Sequence, residues 1–124
     1  MKKLFILLIG ILMFFTFLAS RVFAVNTISI KCPQRTIANK NNIIFVGKVD
    51  SLGNDKYVEG WFEYGSSSSS LMFKTKSIKL SKPGIYCINV NKLKKCTTYY
   101  YRAVAKNSAG INYGEIRSIK TKCK

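Results

Sequence analysis

The chain has 124 residues, 48% of them hydrophobic and 13% aromatic, with 21 Lys and Arg against 5 Asp and Glu and no histidine, for a formal charge of +16. That length holds at most one domain. Four cysteines, two prolines and eight glycines exclude a collagenous or low-complexity chain, and so many aromatics exclude a disordered one. Without histidine the chain has no Ser-His-Asp or Cys-His arrangement and lacks the usual general base near neutral pH.

Met1, Lys2 and Lys3 form a positive start, Leu4 to Leu18 an apolar run broken only by Gly10 and Thr16, and Val22-Phe23-Ala24 a small or apolar end. This is the pattern of a secretory signal peptide over residues 1–24, with a mature domain over 25–124. Fifteen apolar residues fall short of the roughly 20 that a spanning helix needs, so no membrane span is expected after cleavage. Setting aside Lys2, Lys3 and Arg21 leaves 18 basic against 5 acidic residues, so the expected domain itself carries +13. A field of that sign draws the domain to anionic surfaces in a salt-dependent way. Export makes a specific nucleic-acid partner the least natural of these.

In the mature part apolar residues recur with period two, in short runs separated by Gly, Pro, Asn, Asp and Ser, and nowhere hold a helical spacing over three turns. The pattern predicts an all-β domain with seven strands, near 27–32, 43–49, 57–64, 71–76, 84–91, 97–106 and 112–121. Asp50 to Asp55, Lys82-Pro83-Gly84 and Asn107 to Gly110 carry turn chemistry. Gly65 and Ser66 to Ser70 read as a flexible loop.

Leu93 to Tyr99 followed by Tyr100 to Gly110, Gly47 to Gly53, Trp61 to Gly65 and Tyr113-Gly114-Glu115, each in its place along the chain, resemble a bacterial fibronectin type III domain over about residues 28–121. Lys95 departs from that pattern, standing where the family usually has proline. The resemblance implies a two-sheet immunoglobulin-like sandwich in which the seven expected strands, in chain order, are A, B, C, C', E, F and G, with sheets A-B-E and C'-C-F-G. Alternation then places Tyr99, Tyr101, Ala103 and Ala105 inside from strand F, Tyr86, Ile88 and Val90 from strand E, and Val58, Phe62 and Tyr64 from strand C. Tyr99 resembles a tyrosine corner, its hydroxyl bonded back to the preceding connection.

All four cysteines lie in the mature part, and an even count in a small exported domain reads as two disulfides. They contain no C-x-x-C, and no histidine is present to complete a mixed site, so zinc is disfavoured and no metal or other cofactor is expected. Antiparallel pairing of strands F and G about a loop near Ala109 and Gly110 brings Cys96 opposite Cys123 or its neighbour, which favours that bridge. Cys32 and Cys87 are the remaining pair. Strand B should stand between them, so they bridge only if strand A bends at Pro33, and otherwise remain thiols or pair with a second molecule.

The five acids, Asp50, Asp55, Glu59, Glu63 and Glu115, read as solubilising charges, and no phosphate-cradling or metalloprotease motif is present. The expectation is a non-enzyme. Alternation turns Trp61, Tyr100 and Arg102 to one outer face, a platform for stacking on a sugar or gripping a peptide. Lys92, Lys94, Lys95, Lys120, Lys122 and Lys124 gather at one pole of the sandwich. The expected function is a secreted, periplasmic or cell-surface binding module with an anionic, glycan or protein partner, working through Trp61, Tyr100, Arg102, Lys94, Lys95 and Lys122. The alternative is a structural subunit that docks on a partner protein through a sheet edge or the aromatic face.

Overall fold

A computed structural model describes residues 31–124. The leader expected over 1–24 and residues 27–30 of the first expected strand lie outside the described residues. Alternating apolar side chains form nine strands: β1 (Ile37–Ala38), β2 (Ile43–Val49), β3 (Val58–Gly65), β4 (Phe73–Lys74), β5 (Ile78–Leu80), β6 (Gly84–Val90), β7 (Thr98–Asn107), β8 (Gly110–Tyr113) and β9 (Arg117–Lys120). One sheet has the order β1-β2-β6, and the other runs β4-β3-β7-β8, with β5 also on β3 and β9 also on β7. Every pairing is antiparallel. The two sheets make an all-β sandwich of the immunoglobulin-like class, and among the described residues no helix is long and apolar enough to cross a membrane.

Among the described residues there are nine strands: β1 lies where none is expected, and both outer strands of the larger sheet are split. Segment 71–76 narrows to the two residues of β4, and β5 takes over the same edge of β3. Thr75 bridges the gap, its N–H donating to the Phe62 carbonyl at 2.9 Å and its Oγ1 accepting from the Phe62 N–H at 3.0 Å. On the other edge, β8 and β9 flank Gly114–Ile116, where the register on β7 slips by one residue and the Gly114 N–H reaches the Ala103 carbonyl at 2.8 Å. This is a bulge, which bends the edge at that point.

The core lies between the sheets. Phe45 of β2 meets Phe62, Tyr64 and Tyr101 at ring-centroid distances of 5.4, 5.5 and 4.8 Å, all within the range of favourable aromatic pairs. Val58, Phe62, Tyr86, Tyr99 and Tyr101 are buried, with Tyr64, Ile88, Val90, Ala103 and Ala105 packed against them. Tyr86 spans the layers. Its hydroxyl lies 3.2 Å from both the Trp61 and Val104 carbonyls, and its ring passes between Gly47 and Gly60. A Cβ on Gly47 would come within 2.9 Å of that ring, so glycine is needed there for space.

Both disulfides are present. Cys96–Cys123 has a Cα separation of 4.3 Å, close to where the expected F–G register put it. Cys32–Cys87, at 5.6 Å, forms without being obstructed by β2. Cys87 lies between the inward Tyr86 and Ile88, so its side chain leaves the outer face of its sheet. Its cross-strand partner is Val46, whose N–H is held at 3.0 Å by Thr36 Oγ1. The segment from Cys32 to Thr36 thus passes over the outside of β2, and the in-plane distance across two strands does not apply.

Candidate binding surface

The outer face of the larger sheet differs from the open platform expected of Trp61, Tyr100 and Arg102. Trp61 does leave the core, but it is only 5% exposed. The Lys74 ammonium sits 4.1 Å from its ring centre, and Val104, its cross-strand partner on β7, is 1% exposed. Arg102 is committed within the chain. Its Nε and Nη2 donate to Glu63 Oε1 at 3.0 and 2.8 Å, and its guanidinium lies 4.1 Å from the Tyr113 ring centre. Tyr100 is half-buried. Long cationic side chains therefore close over this face and convert the expected platform into a small second cluster.

The poles differ sharply in charge. The strands run from pole to pole, so the segments 39–42, 66–72, 91–97 and 121–124 all emerge at one end. They carry Lys40, Lys92, Lys94, Lys95, Lys122 and Lys124 and no Asp or Glu. At the other end the segments 50–57, 81–83 and 108–109 carry Asp50 and Asp55 against Lys56 and Lys82. Asp55 accepts from the Ser108 N–H and hydroxyl at 2.7 and 2.6 Å, which hold its carboxyl below the usual value. The loops of one pole thus carry six positive side chains, while those of the other carry two of each sign.

The lysine segments are tied together by the backbone. Leu93 N–H donates to the Asn41 carbonyl at 2.8 Å, and Asn41 Nδ2 returns a bond to the Leu93 carbonyl at 3.0 Å. Lys122 N–H reaches the Asn39 carbonyl at 3.0 Å, and Cys96 N–H the Lys122 carbonyl at 3.2 Å. Thr121, 1% exposed, donates its hydroxyl to the Lys94 carbonyl at 2.6 Å. The Lys94 N–H in turn donates to the Tyr99 hydroxyl at 3.0 Å, the bond expected of a tyrosine corner. Lys94, Lys95 and Lys122 are all exposed on this scaffold.

A cleft of about 430 Å³ opens at the same pole. Its walls include Tyr64, Phe73 and Tyr99, and Asn91, Lys92 and Lys94 from the connection between β6 and β7 also line it. Phe73 stacks on Tyr64 at 5.4 Å while remaining 56% exposed. Burial, with Tyr99 nearby, raises the Tyr64 hydroxyl above its usual value and keeps it neutral. Sequence patterning does not single out Phe73 or Asn91. The signal for Phe73 is an aromatic on a short edge strand soon after a polar serine loop.

Neither a protein-family model nor a curated protein sequence matches the chain. Solved structures do. The sensor domain of the anti-sigma factor RsgI4 in Pseudobacteroides cellulosolvens superposes with a TM-score of 0.56 at 15% identity, over 73% of this chain and 93% of that one. A solution structure of the sensor domain of the same protein gives 0.56 at 15% identity, over 71% of this chain and 73% of that one. At such identity the likeness is one of fold.

Proposed function

We propose that the chain is an exported, non-catalytic binding module of the fibronectin type III kind that engages an anionic, glycan or protein partner at a cell surface. The observation that carries this reading is the segregation of charge among the loops: six lysines and no acid at one pole, against two lysines and two aspartates at the other. Two disulfides suit an oxidising compartment outside the cytoplasm. The neighbour of similar fold is the sensor domain of an anti-sigma factor, and a sensing role there is in keeping with a binding role here. The test is retention on an immobilised polyanion at low and high salt, compared with a variant in which Lys94, Lys95 and Lys122 are glutamines. Retention that falls steeply with salt and with the substitutions supports the reading; equal retention of both proteins overturns it.

A second reading has its own observation. All four residues of β8 are exposed, and among the described strands β8 pairs only with β7. A partner protein that adds a strand to this edge would bind through main-chain hydrogen bonds, with little dependence on salt.

A further inference from the structure

Resting on the polyanion form of that reading, we infer that the cleft at the lysine pole binds a pyranose ring bearing a carboxylate, as one unit of an acidic polysaccharide. Its volume of about 430 Å³ lies within the roughly 300–1,000 Å³ of small-ligand sites. The chemistry of its walls matches both sides of such a ring. Phe73 offers an apolar surface that is 56% exposed yet fixed in place by stacking on Tyr64, and an aromatic face suits the C–H face of a sugar. Asn91 supplies an amide for the hydroxyls, and Lys92 and Lys94 supply charge for the carboxylate. No acid on the loops of this pole competes for either lysine.

The lysine loop is also set in advance. Lys92 has a left-handed backbone, with φ of 60°, which a residue with a side chain keeps only where its surroundings enforce it. Here the paired bonds between Leu93 and Asn41 enforce it. A loop already fixed loses little freedom on binding, so its contacts count more fully toward affinity. Lys95 and Lys122, exposed on loops of the same pole, supply charge for further carboxylates of the same chain. Diffuse attraction alone does not call for a half-exposed phenylalanine. A lipid surface would meet the lysines equally well but would make no particular use of a ring stacked in a cleft.

The experiment is titration of the whole exported domain with short oligogalacturonides at about 0.15 M salt. Parallel titrations use neutral galacto-oligosaccharides, inorganic phosphate and phosphatidylglycerol vesicles. Phe73→Ala is expected to weaken oligogalacturonide binding about tenfold, the effect of truncating a central aromatic anchor, while leaving salt-dependent retention on an immobilised polyanion intact. A variant carrying Lys92→Gln and Lys94→Gln should weaken it by at least as much, and Lys56→Gln at the far pole should leave it unchanged. Thermal unfolding of each variant checks that the fold is kept. Phe73→Ala binding like the parent, or neutral sugar, phosphate or vesicles binding as well as the acidic sugar, overturns the cleft assignment while the broader reading stands. Absence of any polyanion retention by the unaltered protein overturns the broader reading itself.

Discussion

Tyr86 gives a prediction in which a single hydroxyl reverses the order of stability of two proteins. Its side chain is 2% exposed, and burial pushes its hydroxyl up to about 12 from 10.0. Because the folded value is raised, the neutral phenol is the form the fold favours. Its contribution is complete below pH 10 and is lost as pH climbs toward 12. At pH 11.5 that loss amounts to about 2 kcal/mol, since raising a pKa by one costs the ionised form about 1.36 kcal/mol. Tyr86→Phe cannot ionise, but it gives up the bonds to the Trp61 and Val104 carbonyls, a loss of about 1 kcal/mol at pH 8. The parent should therefore be more stable at pH 8, equal near about pH 11, and less stable by about 1 kcal/mol at pH 11.5. Urea unfolding followed by circular dichroism, at several pH values, reads this directly. Lysine titration acts on both proteins alike and cancels in the difference. Two stability curves that stay parallel from pH 8 to 11.5 would refute the argument.

The same core carries a steric prediction: Gly47→Ala places a Cβ 2.9 Å from the Tyr86 ring and 3.1 Å from the Ala103 Cβ, and should lower stability by about 1–3 kcal/mol in the same urea assay. The two disulfides close separate stretches of 55 and 27 residues. Replacing Cys32 and Cys87 together by alanine should lower stability by about 4 kcal/mol, and replacing Cys96 and Cys123 by somewhat less, about 3–4 kcal/mol, with thermal unfolding of each pair as the check.

What alternation alone controls is legible in the sequence. β2, β3, β6 and β7 fall where period-two patterning predicts them, and the rings of Phe62, Tyr86, Tyr99 and Tyr101 face inward as expected. Cys96–Cys123 is legible for the same reason, because a hairpin's register follows from its turn. Alternation says which face a side chain leaves, however, and not whether that face is covered. Trp61 and Val104 do turn to the outer side, but Lys74 and Arg102 reach across the sheet from positions whose conformations no periodicity encodes. The in-plane spacing of strands argues against Cys32–Cys87, whereas the real path runs over the sheet. The cleft is hidden for a related reason. It is assembled from the end of β3, an edge strand of two residues and the β6–β7 connection, segments that only the folded chain brings together.

The polarity of charge also fixes an orientation. Because the strands run lengthwise between a strongly cationic set of loops and a neutral one, a domain approaching a negative layer would turn its lysine loops toward it before contact, as a dipolar body does in a field. It would come to rest standing upright, with both sheets perpendicular to the layer. The turn from Asp50 to Asp55 would then be held away from it, facing whatever lies beyond.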